Sequence, residues 1–122
     1  PLRDADDVRA SYDAFLAQPF AAQVSVCRYG WLNPWWAMRR GDDGAAAPLF
    51  PEALKQRSQD LPALFCPTGA VWWSRADALL EHGTFHQEPR SLFELSWEHA
   101  VDIDDEGDLR MAEAIFAMRE RA

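Results

Sequence analysis

Lysine is almost missing from this chain: Lys55 stands alone beside eleven arginines. Glycine is sparse too, six residues scattered without a glycine-rich run, so the chain by itself offers no common loop for cradling a nucleotide triphosphate. The two cysteines, Cys27 and Cys66, lie far apart and without metal-ligand spacing, which argues for reduced thiols in a cytoplasmic protein. No apolar run is long enough to span a bilayer, and no signal-peptide pattern is present. Twelve basic residues face twenty acidic ones, and a net charge of −8 argues against a broad nucleic-acid surface, which needs a basic stripe. A small anionic ligand stays open, because a metal ion and two arginines reverse the sign locally. The chain also opens without methionine, at Pro1-Leu2-Arg3, and reads as the middle of something longer. What remains is 48% hydrophobic over 122 residues, enough for one domain with a modest core.

The most informative stretch runs from residue 100 to 117, AVDIDDEGDLRMAEAIFA. Val101 and Ile103 alternate with Asp102 and Asp104, which predicts a strand carrying both carboxylates on one face. Asp105 then fits a helix N-cap, with Asp108 as the acidic partner three residues on. Leu109, Ala112, Ile115 and Phe116 repeat at helical spacing. Two oxygen ligands at a strand end suit a hard cation such as magnesium. The competing reading makes these acids only a helix cap and a soluble turn.

Elsewhere, Asp4 caps a helix reaching to about residue 17, with Val8, Tyr12, Phe15 and Leu16 as its apolar stripe. Residues 23–28 predict a buried strand, with Val24 and Val26 on one face and Cys27 on the other. Residues 35–39 predict a strand that turns at Gly41-Asp42-Asp43-Gly44 into a hairpin. The surplus of tryptophans there (Trp31, Trp35, Trp36) suggests an interface patch or a core. The polar run at 55–62 has the character of a functional loop, or of a solvated connector. A turn at 67–69, a strand at 70–74, a helix at 75–82 closed by Gly83, and a strand at 92–97 complete an α/β pattern. His82, His86 and His99 have no partner that spacing singles out, so no catalytic triad can be argued.

Three separated motifs resemble one family. Arg57-Ser58-Gln59-Asp60-Leu61-Pro62, Cys66-Pro67-Thr68-Gly69-Ala70-Val71-Trp72, and Val101-Asp102-Ile103-Asp104 with Asp108-Leu109 and Ala112-Glu113 are similar to acylneuraminate cytidylyltransferases, the CMP-sialic acid synthetases. The opening Pro1-Leu2-Arg3 and the acids after it resemble the segment that follows that family's central strand. The likeness covers the whole chain, but only about the C-terminal half of such an enzyme. It implies a Rossmann-like α/β nucleotidyltransferase layer with a small dimerisation subdomain, here about residues 31–67. It also implies attack of a nonulosonic acid's anomeric hydroxyl on the α-phosphate of CTP, releasing pyrophosphate.

By the same resemblance, Asp102 and Asp104 are catalytic and hold Mg2+, and Arg57 meets anionic substrate from across a homodimer. Gln59 falls in the Arg57 motif and counts with the substrate-binding residues. Gly69 matches a close-approach glycine near the sugar, Trp72 stands where several relatives have tyrosine, and Phe85 matches an aromatic that lines the acyl pocket of the partner subunit. Cys66 replaces an arginine and Trp36 a lysine found in some relatives, which leaves the sugar open among sialic, legionaminic and pseudaminic acids. The part of the family that carries the nucleotide loop is not in this sequence, so the chain alone is expected to be inactive. Two other readings stand beside this one: a non-catalytic dimerisation or interaction domain, and a cytidylyltransferase relative acting on a Kdo-type acid.

Overall fold

The computed structural model describes residues 1–120. It is a mixed α/β structure with three α-helices, one three-stranded sheet and one two-stranded hairpin. The chain divides into two compact units, one formed by Pro1–Cys27 with Pro67–Ala122 and the other by Arg28–Cys66.

In the first unit, α1 (Ala5–Leu16) begins where the sequence asks for it. Asp4 accepts from the backbone N–H groups of Asp6 and Asp7, and Asp7 accepts in return from the Asp4 N–H. Of the expected stripe only Phe15 is buried, while Val8, Tyr12 and Leu16 remain exposed. Ser11, which no apolar pattern picks out, is fully buried instead.

β1 (Ala22–Arg28) is the central strand. β5 (Ser91–Leu95) lies parallel to it, with Gln23 opposite Ser91 and Cys27 opposite Leu95. On its other side is β4 (Phe65–Ser74), which runs antiparallel: the Arg75 N–H donates to the Ala21 carbonyl, and Val71 N–H reaches back to Ser25 Oγ. Val24 and Val26 are buried as expected, and so are Gln23 before them and Ser25 between them.

Those polar residues are satisfied by one another across the elements. Gln23 Nε2 donates to the Ser11 carbonyl (2.7 Å), and Gln23 Oε1 accepts from Ser91 Oγ (3.2 Å). Trp73 Nε1 donates to Ser11 Oγ (3.0 Å), while its ring packs on Tyr12 and Phe15. Helix α1 is thus held to the sheet by hydrogen bonds as much as by apolar contact.

The expected turn at 67–69 lies inside β4. Thr68 shares a 2.7 Å hydrogen bond with Ser25, and Gly69 takes a left-handed φ of 65° within the strand. A glycine there admits a local irregularity without breaking the strand. Helix α2 (Ala76–His82) closes on Gly83 at φ 66°, as its sequence requires.

The expected strand at 101–104 does not form. β5 ends at Leu95, and the N–H groups of His99 and Ala100 fold back on the Ser96 carbonyl. The next N–H groups go to carboxylates: Ile103 to Asp102, and Asp104 and Asp105 both to Asp108. Aspartates that satisfy the local backbone remove the donors a sheet ladder would use. The cap itself is as expected, and Asp105 and Asp108 complete a capping box on α3 (Glu106–Arg119). Ala112 and Ile115 pack with Val101 and with Leu2 from the N-terminal segment.

In the second unit the expected strand at 35–39 is mostly a 3₁₀ turn, Pro34–Trp36. Proline at its start and the Asn33 carboxamide accepting from Trp35 N–H favour the turn. The hairpin is shorter than expected, β2 (Met38–Arg40) against β3 (Ala46–Pro48), joined across Gly41 and Gly44. Trp35 stands edge-on to Phe50 and donates Nε1 to the Pro62 carbonyl (2.9 Å). A cleft of about 360 Å³ opens beside it, lined by Leu49, Phe50, Pro51 and Leu61 among others.

The Asp4 cap carries an acid-dependent part of stability. Asp4's carboxyl is held below its ordinary value, first by the Asp7 N–H, and further by the Asp6 N–H, His99 and Arg119, with burial opposing. A carboxyl depressed on folding stabilises above its unfolded value, and that contribution is lost as pH falls through the lower folded one. Unfolding midpoints in urea should therefore drop below about pH 4. Asp4→Asn, which keeps a capping oxygen without the charge, should flatten that limb of the curve. An unchanged acid limb in Asp4→Asn would show that other carboxylates set it.

Candidate functional site

The residues singled out by the sequence fall into three groups. The first is aromatic. Trp72 and Trp73 are neighbours on β4, and successive strand residues face opposite sides. Trp73 turns to α1, which leaves Trp72 on the other face. There Phe85 meets Trp72 edge-to-face (ring centroids 6.2 Å, 86°), and His86 sits closer still (4.6 Å, 83°).

The loop that delivers these two rings is tied down. Thr84 Oγ1 accepts from the His86 N–H, and Arg90 donates to the His86 carbonyl. Gln87, buried in an otherwise exposed loop, donates to Ser74 Oγ (2.8 Å) at the end of β4 and to the Thr84 carbonyl. Gln87 anchors the aromatic group, and nothing in the sequence marks it. The structure brings Trp72 and Phe85 together, and adds His86.

Gly69 lies on the same strand as Trp72. Nothing comes within 4 Å of the position a Cβ would occupy, so the space over this glycine is open. Its left-handed backbone still resists a side chain, by about 1–2 kcal/mol.

The second group is Asp102 and Asp104, both exposed on the irregular segment that leads into α3. Asp102 Oδ1 accepts from the following N–H (3.2 Å). The Asp104 backbone is fixed by Asp108, and among the described residues neither carboxylate is in an ion pair. The strand that would set both carboxylates on one face does not form, so their pairing rests on the sequence alone; exposed carboxylate oxygens are of the type that a hard divalent cation takes.

The third group is Arg57 and Gln59, on the 3₁₀ turn Ser58–Asp60 of the second unit. Arg57 Nε donates to Asp60 Oδ2 (2.9 Å), and a second, longer contact reaches Oδ1 (3.4 Å). Both side chains are largely in solvent, so exchanging Asp60 for another anion costs Arg57 less than about 1 kcal/mol.

One cluster went unforeseen. Asp4 and Asp7 of α1, His99 of the segment before α3, and Arg119 of the last turn of α3 meet in one place. Their positions in the sequence are too far apart for spacing to reveal the meeting. No protein-family model matches the chain.

Proposed function

We propose that this chain supplies the metal, sugar-acid and dimer side of a cytidylyltransferase that activates a nonulosonic acid with CTP. The observation that carries the proposal is the order of the three motifs along the chain, with Asp102 and Asp104 exposed and, among the described residues, in no ion pair ahead of a capped helix. In this reading α1, the sheet and α3 belong to a Rossmann-like layer, and the Arg28–Cys66 unit is the dimerisation element.

Each group of residues then has a task. Asp102 and Asp104 would hold Mg2+, which when bound neutralises charge on the substrate phosphates. Trp72 and Phe85 make an aromatic surface against which the apolar part of an acylated sugar would pack, and the open space over Gly69 suits the close approach that the resemblance assigns to it. Arg57 pairs with an anionic group by trading Asp60 for it, assisted by Gln59 on the same turn. Second in standing is a non-catalytic module, favoured by one observation: Asp105 and Asp108 are fully engaged as caps, so acids in this stretch have structural work too.

Two measurements test the proposal. The 122-residue chain alone should release no pyrophosphate from CTP and a nonulosonic acid, because it has no glycine-rich loop and one lysine to cradle a triphosphate. Release should appear when a cytidylyltransferase nucleotide-binding half is joined to it or added separately. Magnesium-dependent release by the chain alone would mean the nucleotide binds elsewhere. If no combination turns over, the non-catalytic reading stands.

The dimer is tested apart from chemistry. Trp31 is 89% exposed and Leu32 69%, beside Trp36 and Met38, at roughly 25 cal/mol per Å² of apolar surface left in water. Sedimentation should give a dimer at micromolar concentration, and Trp31→Asp should return a monomer. A wild-type monomer with acrylamide-quenched tryptophans would remove this part of the proposal.

A further inference from the structure

Asp7, His99 and Arg119 form a continuous relay whose proton positions are dictated by chemistry. His99 Nδ1 lies 2.5 Å from Asp7 Oδ2, and His99 Nε2 meets the Arg119 guanidinium. Arg119 also donates through its other terminal nitrogen to the Leu2 carbonyl (2.8 Å). A guanidinium only donates, so Nε2 must present a lone pair and the imidazole proton must sit on Nδ1, donated to Asp7. In that arrangement both ring nitrogens are committed. Asp4, Asp7 and His99 bring ligand atoms within 4.8 Å of one another, yet with Nδ1 as donor the ring's one lone pair, on Nε2, is turned to Arg119. The cluster is a tie between elements rather than a metal site.

We propose that His99 is a proton-operated latch on the last turn of α3, independent of the reading of Asp102 and Asp104. Neutral, it joins α1 through Asp7 to α3 through Arg119. Protonated, it keeps Asp7 but turns an N–H toward Arg119, and two cationic donors cannot share a hydrogen bond. The charged groups around the ring set up this division. Asp4 and Asp7 face it from the start of α1, and Arg119 faces it from the end of α3. The released end is local: Arg119 retains Leu2, while the last turn, where Glu120 N–H bonds the Phe116 carbonyl, loses its tie to α1.

The test is amide hydrogen exchange in residues 116–120 of the 122-residue chain, corrected for intrinsic rates, between about pH 8 and about pH 5, where histidines change charge. Protection in this turn should fall roughly fivefold toward the acid end, the worth of one net hydrogen bond. His99→Gln should hold its protection across the range, because its amide can donate to Asp7 and accept from Arg119 without titrating. Arg119→Gln, which removes the guanidinium but keeps the ring, should lose the pH dependence by losing the difference between the two states. Ring nitrogen spectra at the neutral end should show the proton on Nδ1. A proton on Nε2, or the same pH dependence in His99→Gln as in the wild type, would overturn the proposal.

Discussion

Asp104→Asn should abolish CTP-dependent turnover in the nucleotide-competent protein while leaving the fold intact. The two halves of this expectation have separate causes. Asp104 contributes its backbone N–H to Asp108, and that bond survives replacement of the carboxylate by an amide. What changes is one of two negative oxygen donors proposed for the metal. Its loss should exceed the roughly 10–100-fold cost typical of changes behind the ligands, and adding magnesium should recover only part of it. Asp105→Ala is the contrasting variant: it removes the α3 cap at about 1 kcal/mol and leaves the donor pair unchanged. Melting curves and magnesium titrations on the two variants should therefore move in opposite patterns. Undiminished activity of Asp104→Asn at limiting magnesium would leave the acids with capping alone.

The second large effect is on stability. Gln23→Ala should lower the unfolding free energy by about 3 kcal/mol, combining a cavity with lost hydrogen bonds. Gln23 is 2% exposed in the central strand, and its amide joins α1 to β5 through Ser11 and Ser91. Ser11 in turn receives Trp73 from β4. A loss of that size is a large share of the stability of so small a domain. Gln23→Leu separates the two contributions, since it refills the volume and removes only the polar partners. It should cost about 1–3 kcal/mol. The Gln23→Leu and Ser91→Ala changes should be non-additive, because both remove the same side-chain hydrogen bond. Gln23→Leu as stable as the wild type would show that the buried amide adds nothing net.

The elements that the sequence foretold are those whose signals are local. Asp4 with Asp7, and Asp105 with Asp108, announce helix starts within four residues, and Gly83 announces an end. β1 and β5 follow from runs of β-branched and apolar residues. The failures are places where a local pattern had a competitor. Val101 to Asp104 alternates like a strand, but its aspartates take the backbone donors. Pro67-Thr68-Gly69 looks like a turn, but the Thr68–Ser25 bond draws it into β4. Leu16 fits the stripe of α1 better than Ser11, yet Ser11 is buried because Gln23 and Trp73 need it.

The site was legible one residue at a time. Trp72 and Phe85 could each be named, but their meeting depends on Gln87 holding a loop to Ser74. His86 and the His99 relay had no sequence signal, since their partners come from distant segments.

The parallel pairing of β1 with β5 also sets a schedule. Gln23 lies opposite Ser91, 68 positions later, so the central strand leaves the ribosome long before its neighbour exists. At about 5–20 residues per second the wait is several seconds. Within it the whole Arg28–Cys66 unit is synthesised, and that unit can settle first because it is one uninterrupted stretch. The Gln23 amide, meanwhile, stays hydrated or borrows partners, and closing so long a loop is the slow step of the larger unit. A nascent chain arrested before residue 91 should thus carry a finished hairpin unit and a β1 that β4 can already pair but whose β5 edge is open and chaperone-accessible.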